Sequence, residues 1–214
     1  MSPDVNTTTY HLSFDCANKS LAHFGCEESD KPNTNGDVKR PLECLSIADI
    51  NHRVFTYGVV DLLPGQKVSE TTAIYRIKQL HKYLTNIPMP PDSTPSNTTI
   101  YIEYQMGPNA KSHDVSSAIM MFYAKYDVRI VGPSLKNTIA FNEDLRIQKF
   151  MSKYSTSYAA NKAHAQANLI YYCRHKAIDI DNMDKSVLHN LGDALMQYLA
   201  VRTARTASFR SSNA

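Results

Sequence analysis

The sequence predicts an α/β fold in which a mixed five-stranded sheet is flanked by helices, and three observations carry that expectation. The opening third is a series of apolar, β-branched runs separated by polar turns, and the rest alternates helical spacing with short strand-like runs. Two of the strand-like runs also hold a carboxylate where an apolar residue would pack. With 214 residues and 43% hydrophobic composition, the chain is long enough to bury the core of one domain.

Each element follows from its own residues. Residues 9–15 and 20–26 read as strands, and the polar "CANKS" between them supplies the turn of a hairpin. A Pro/Gly/Asn loop covers 27–43, after which "RVFTYGVVDLL" (53–63) is aromatic and β-branched enough for a third strand, ended by "LPGQ". From Ser69, read as the cap, Ile74, Ile77, Leu80, Tyr83 and Leu84 recur at helical spacing. The prolines of "NIPMPPDSTP" stop that helix, and "NTTIYIEYQMG" (97–107) emerges as the fourth strand. Residues 112–126 read as a second amphipathic helix, "DVRIVGP" as a fifth strand, and 143–176 as a stretch of helical character. Val187, Leu188, Leu191, Leu195 and Leu199 form the stripe of a closing helix. A three-strand meander followed by strands joined through helical crossovers is the order of an RNase H-like fold.

Composition narrows the function less than the fold. The 23 basic and 20 acidic residues leave a net charge of +3, too mild a bias to imply nucleic acid by itself. Cys16, Cys26, Cys44 and Cys173 contain no C-x-x-C pair, which points to reduced thiols in a cytosol-like compartment. No run is long and apolar enough for a bilayer span and no secretory signal opens the chain, so no membrane partner is expected. The sequons at Asn6, Asn18 and Asn97 then read as chance matches.

The chemistry is carried by acids. Asp15 ends the first strand, Glu103 sits inside "IYIEYQ", and Asp193 lies early in the closing helix within "HNLGDALMQ". Asp15 alone would also serve as a turn cap, and Asp193 as a solvated helix residue. Glu103 resists such a reading, because an unpaired carboxylate in a central strand is costly. Three converging carboxylates repel one another unless cations neutralise them, and oxygen ligands of this kind suit Mg²⁺, with Mn²⁺ as a substitute. Two such ions would activate a water and stabilise the leaving oxygen in phosphodiester hydrolysis.

The segments "FDCANKSLA", "YIEYQMGPNAKS", "VRIVGPSLKN" and "HNLGDALMQ", in this order from about residue 10 to residue 200, resemble the RuvC-like Holliday junction resolvases. Within them the likeness is to the branch of poxviruses and other large DNA viruses and to the related fungal mitochondrial resolvases. The resemblance implies a homodimeric endonuclease that nicks opposed strands of a four-way DNA junction. It further implies that Asp15, Glu103 and Asp193 are metal ligands and that Lys136 of "VGPSLKN" is a catalytic lysine, placed to hold the scissile phosphate or developing charge. The family's last motif usually has another acid three residues before the final aspartate; here that position is Asn190, preceded by His189. Either His189 or Asn190 fills the fourth metal position, or the site is weakened by the missing charge.

Phosphate contacts are expected from Lys19 beside the first aspartate, from Lys111 and Lys136, and from the basic, aromatic stretch that holds Arg146, Lys149, Lys153, Lys162, Arg174, His175 and Lys176. The apolar pattern of 159–173 suits a helix packed on the sheet or on a second subunit. The domain reading is a flexible 1–9, a nuclease domain over 10–201, and a basic disordered tail over 202–214 with Arg202, Arg205 and Arg210, either solubilising or phosphate-binding. Two other functions fit the same acids: a junction-binding protein with weak or no catalysis, and another RNase H-like nuclease acting on hybrids or flaps. A viral replication site in the host cytoplasm is the expected location, since "MSPDVNTTTY" lacks the arginine-rich character of a mitochondrial leader.

Overall fold

The sheet is built outward from strand β1 (Thr8–Cys16), whose residues from Tyr10 onward are all buried. The computed structural model describes residues 8–17, 19–29, 44–45, 47, 50–104, 110–138, 140–141 and 157–211. β2 (Ser20–Ser29) returns antiparallel to β1, with Asp15 opposite Ala22, and β4 (Arg53–Asp61) returns antiparallel to β2. On the other side of β1 lie β5 (Thr98–Glu103) and then β6 (Asp127–Val131), both parallel to it. The order β4–β2–β1–β5–β6 is the mixed five-stranded sheet of an RNase H-like fold, as the element order predicts. A separate pair of two-residue parallel strands, β3 (Cys44–Leu45) and β7 (Ala140–Phe141), is absent from the sequence reading because a two-residue strand shows no periodicity.

Strand alternation divides β1 between two cores. Leu12, Phe14 and Cys16 join Leu21, Ile100 and Ile102 beneath α1 (Ala73–Thr85) and α2 (Ala110–Phe122). The opposite face, with Ala22, Phe24, Cys26 and Tyr101, packs under α3 (Ser157–His175) and α4 (Leu188–Ser211) through Leu169, Tyr172, Leu191, Leu195 and Leu199. Both faces are therefore covered, as parallel strands require, and each fully buried large side chain adds roughly 1.5–3 kcal/mol.

Helix α1 differs from its expected form. Its cap is Thr72, whose hydroxyl accepts the Tyr75 N–H at 3.2 Å, while Ser69 lies in the preceding 3₁₀ turn Val68–Glu70. The buried face is Arg76, Leu80 and Leu84, so Ile74 and Ile77 of the expected stripe are exposed. Arg76 sets this rotation: its guanidinium donates to Asp114 on α2 at 3.1 Å and to the Thr71 carbonyl at 3.0 Å.

The closing helix buries Leu188, Leu191, Leu195 and Leu199 of its predicted stripe, whereas Val187 lies in the turn before the helix and is half-buried. It crosses α3 so closely that a Cβ on Gly192 would stand 2.3 Å from the Ala165 carbonyl oxygen. The helix also runs through Ser211, past the Arg202 boundary expected to open a disordered tail. No proline or glycine interrupts "VRTARTASFRSS", and Arg202 is held by Glu28 of β2. Of the stretch 143–176, residues 157–175 form α3, whereas 143–156 lie outside the described residues. At the other end, β1 starts at Thr8, inside the segment read as a flexible 1–9, and 1–7 lie outside the described residues. No helix among the described residues is long and apolar enough to cross a membrane.

Candidate active site

Parallel strands β1 and β5 end side by side, with Phe14 opposite Ile102, so the next residues, Asp15 and Glu103, emerge together at the sheet's carboxyl edge. Helix α4 crosses that edge with Asp193, and the 3₁₀ turn Leu135–Thr138 after β6 contributes Lys136. The Lys136 Nζ stands 2.8 Å from Glu103 Oε1, 3.2 Å from Asp193 Oδ2 and 3.7 Å from Asp15 Oδ1. All four side chains are at most 17% exposed. The sequence-predicted trio is thus brought together, around the predicted lysine.

The charges reshape one another. Burial pushes the Asp15 carboxyl well above its usual range, a hydrogen bond with Glu103 adds to this, and Lys136 opposes it. Burial raises Asp193 to about 6, again against the pull of Lys136. Burial alone would lower the Lys136 ammonium, but the three acids outweigh it and hold the lysine protonated. Net, one ammonium balances a set of carboxyls that cannot all ionise alone.

The site opens into a cleft of about 990 Å³ lined also by Lys19, Ser20, Asp61, Tyr158, Asn161, Lys162, His189 and Asn190. Asn190 Nδ2 donates to Ser20 Oγ at 3.1 Å, which turns its amide nitrogen toward β2. His189 is lowered from the usual histidine range by burial and by the nearby charges of Lys162 and Lys136, against a backbone hydrogen bond at Ser186. Lys19 Nζ lies 3.5 Å from Asp61 Oδ2 on one wall, and Lys162 stands on another.

Three buried carboxyls, with the Asn190 oxygen and the His189 imidazole also in the cleft lining, offer the donors a divalent cation takes, so the donor chemistry fits Mg²⁺ or Mn²⁺. Among the described residues, however, no three acid, histidine or cysteine side chains are already spaced as a metal cage. Lys136 stands where the acids converge, so loading a cation requires the lysine and the carboxylates to regroup.

The remaining basic residues separate by position. Lys19, Lys136 and Lys162 reach the cleft. Arg174, His175 and Lys176 do not line it: the first two close α3 and Lys176 follows it, with Arg174 already just over three turns or about 18 Å along the helix from Lys162. Lys176 instead donates to the Ile50 carbonyl at 2.7 Å, and Arg174 lines a separate cavity beside Asp179 and Asp181. Arg146, Lys149 and Lys153 lie outside the described residues, as does the side chain of Lys111. Sequence reasoning missed Ser20, Asp61 and Tyr158. Asp61 carried the same signal as Asp15, an acid ending a strand, but it serves the turn by accepting the Leu63 N–H at 2.8 Å.

A scan against protein-family models returns no match, and neither does a search of curated proteins. Among solved structures, the chain is similar to Thermus thermophilus RuvC, with 11% identity over 92% of this chain and 97% of that one and a TM-score of 0.44. It is similar to T. thermophilus RuvC in complex with a Holliday junction substrate at 12% identity, over 91% and 96% of the two chains, with a TM-score of 0.47. For the fowlpox virus Holliday junction resolvase the values are 14% identity, 92% and 99% of the two chains, and a TM-score of 0.49. At such scores the assignment of an RNase H-like fold rests on the strand order of the sheet itself.

Proposed function

We propose that this chain is a divalent-cation-dependent endonuclease that selects four-way DNA junctions and, as a homodimer in a viral replication site of the host cytoplasm, nicks opposed strands. The observation that carries the nuclease part is the meeting of Asp15, Glu103 and Asp193 around Lys136 at the carboxyl edge of β1 and β5. Selection of the junction, the dimer and the location are supported by the resemblance of the four ordered motifs.

Each residue then has a task. Asp15, Glu103 and Asp193 would hold the cation, with His189 or the Asn190 oxygen beside them. When bound, the cation supplies charge neutralisation and Lewis acidity at the scissile phosphate. Lys136, once released from the acids, is placed to stabilise charge developing on that phosphate. Lys19 and Lys162 grip the backbone on either side of the cleft, which positions DNA without reading its bases.

The test is cleavage of a synthetic junction, each strand end-labelled in turn, in Mg²⁺ and in Mn²⁺. Paired nicks on opposed strands are expected, and Glu103→Gln should remove cleavage while leaving junction affinity within about twofold, since a rim of lysines carries the binding. Nicking by that variant at the unaltered rate would refute the assignment. A second reading, junction binding without catalysis, is favoured by the Asn190 amide turned toward Ser20. It is distinguished by Asn190→Asp: cleavage appearing only in that variant would establish a binding protein with an incomplete site.

A further inference from the structure

Tyr158 stands in the first turn of α3, at the rim of the catalytic cleft, and is 69% exposed. Nothing in the core takes this ring, so burial does not explain a large aromatic side chain here. One turn on, Lys162 lays its ammonium over the ring, 4.6 Å from the centroid. That same ammonium acts on the Asp193 carboxyl and on His189, so ring, cation and acid share one wall of the cleft. Lys19 and Asp61 occupy another part of the lining, beside the Asp15 turn.

We propose that Tyr158 and Lys162 form a stacking subsite for a single unstacked DNA base next to the scissile phosphate, the ring taking the base and the ammonium taking the flanking phosphate. This deepens the endonuclease reading and rests on it for the position of the phosphate. Stacking on an aromatic ring accepts any base, because every base has a π-face, and a lysine alongside neutralises the backbone that follows it. The cation over one face orients the ring before DNA arrives and leaves the other face for the base. Paired, stacked bases of a continuous duplex cannot enter such a subsite. Bases at an opened branch point can, so Tyr158 would contribute to preference for branched over linear DNA.

The experiment uses the full chain in EDTA with two probes carrying 5-iododeoxyuridine: a four-way junction substituted at its branch-point positions, and the matching linear duplex. Irradiation joins the iodinated base to the side chain on which it stacks, and peptide mapping locates the adduct. The expected adduct with the junction is on Tyr158, with none there from the duplex. Tyr158→Ala should weaken junction binding by about tenfold and leave duplex binding unchanged, whereas Tyr158→Phe, which keeps the ring, should bind within about twofold of the parent chain. An adduct mapping to another residue, or Tyr158→Ala holding the junction as tightly as the parent chain, overturns the subsite. The two readings fail separately. A chain that nicks the junction equally well with Ala at this position keeps the nuclease and loses the subsite. A chain that crosslinks at Tyr158 but nicks nothing in Mg²⁺ or Mn²⁺ keeps the subsite and loses the nuclease.

Discussion

Lys136 is the single residue on which the resting site depends, because its ammonium is the shared partner of three buried carboxyls. Replacing it with methionine keeps much of the volume and removes the charge. The expected result in EDTA is a loss of about 3 kcal/mol or more, the usual cost of stripping a buried ion pair of one partner. Mg²⁺ should then raise the melting temperature of Lys136→Met by more than it raises that of the parent chain, since the cation replaces the missing positive charge. Equal shifts in calorimetry would show that the acids do not bind the metal. His23 supplies an independent residue-scale test. Its ring is 4% exposed and bonded to the hydroxyls of Tyr83 at 2.6 Å and Thr56 at 2.9 Å, and burial lowers its pKa from 6.5 to about 4. In this window the unfolded chain binds a proton that the folded chain refuses. Stability is therefore full above the unfolded pKa and falls as the pH drops toward about 4, by about 1.4 kcal/mol per unit. His52, lowered by burial to about 3, acts in the same sense. Between about pH 7 and about pH 5 the urea midpoint of the parent chain should fall relative to that of His23→Gln, because the raised Asp15 and Asp193 carboxyls oppose the fall equally in both chains. A difference between the two chains that stays constant across this range would contradict the burial of His23.

Among the elements, the crossing of α3 and α4 is the contact that fixes Asp193. Gly192 allows it, because any Cβ there would run into the Ala165 backbone. Gly192→Ala must part the helices, at a cost of about 1–3 kcal/mol, and it shifts the neighbouring Asp193 relative to Lys136. A denaturation midpoint that falls together with cleavage is the expected outcome; full activity with reduced stability would separate the crossing from the site. The elements also show what the sequence carries. The five main strands, the closing stripe and the acids were legible because burial imposes period two on strands and about 3.6 on helices, and because an acid within either pattern stands out. The start of α1 was not legible, since Ser69 and Thr72 are both good caps and the choice falls to Arg76, whose partner Asp114 is far along the chain. Lys136 was readable only by resemblance, because a loop lysine has no pattern of its own. Tyr158, in the polar run "STSYAANK", likewise gave no local sign that it faces a cleft.

For the whole molecule, the sheet's carboxyl edge gathers the acids and the three lysines of the cleft, and the proposed junction binding makes a prediction about the charge of those lysines. Junction affinity should fall steeply with salt, and Lys162→Ala should lower the slope of log affinity against log salt by about one, as the loss of one phosphate contact requires. An unchanged slope, measured by titration at several salt concentrations, would move Lys162 out of the interface. The division of the molecule into two cores has its own bearing on how such a chain can diverge. Successive residues of β1 belong to opposite interiors, Leu12 and Phe14 to one and Asp15 to the other side, so the length of this strand counts in pairs. Deleting one residue before Asp15 would send the carboxylate into the aliphatic layer under α1 and α2 and turn Phe14 toward the cleft. Deleting two would restore the parity and cost only length. Lineages that keep the chemistry should therefore tolerate even-numbered changes in β1 and lose odd-numbered ones, with the free variation in length displaced to the turns.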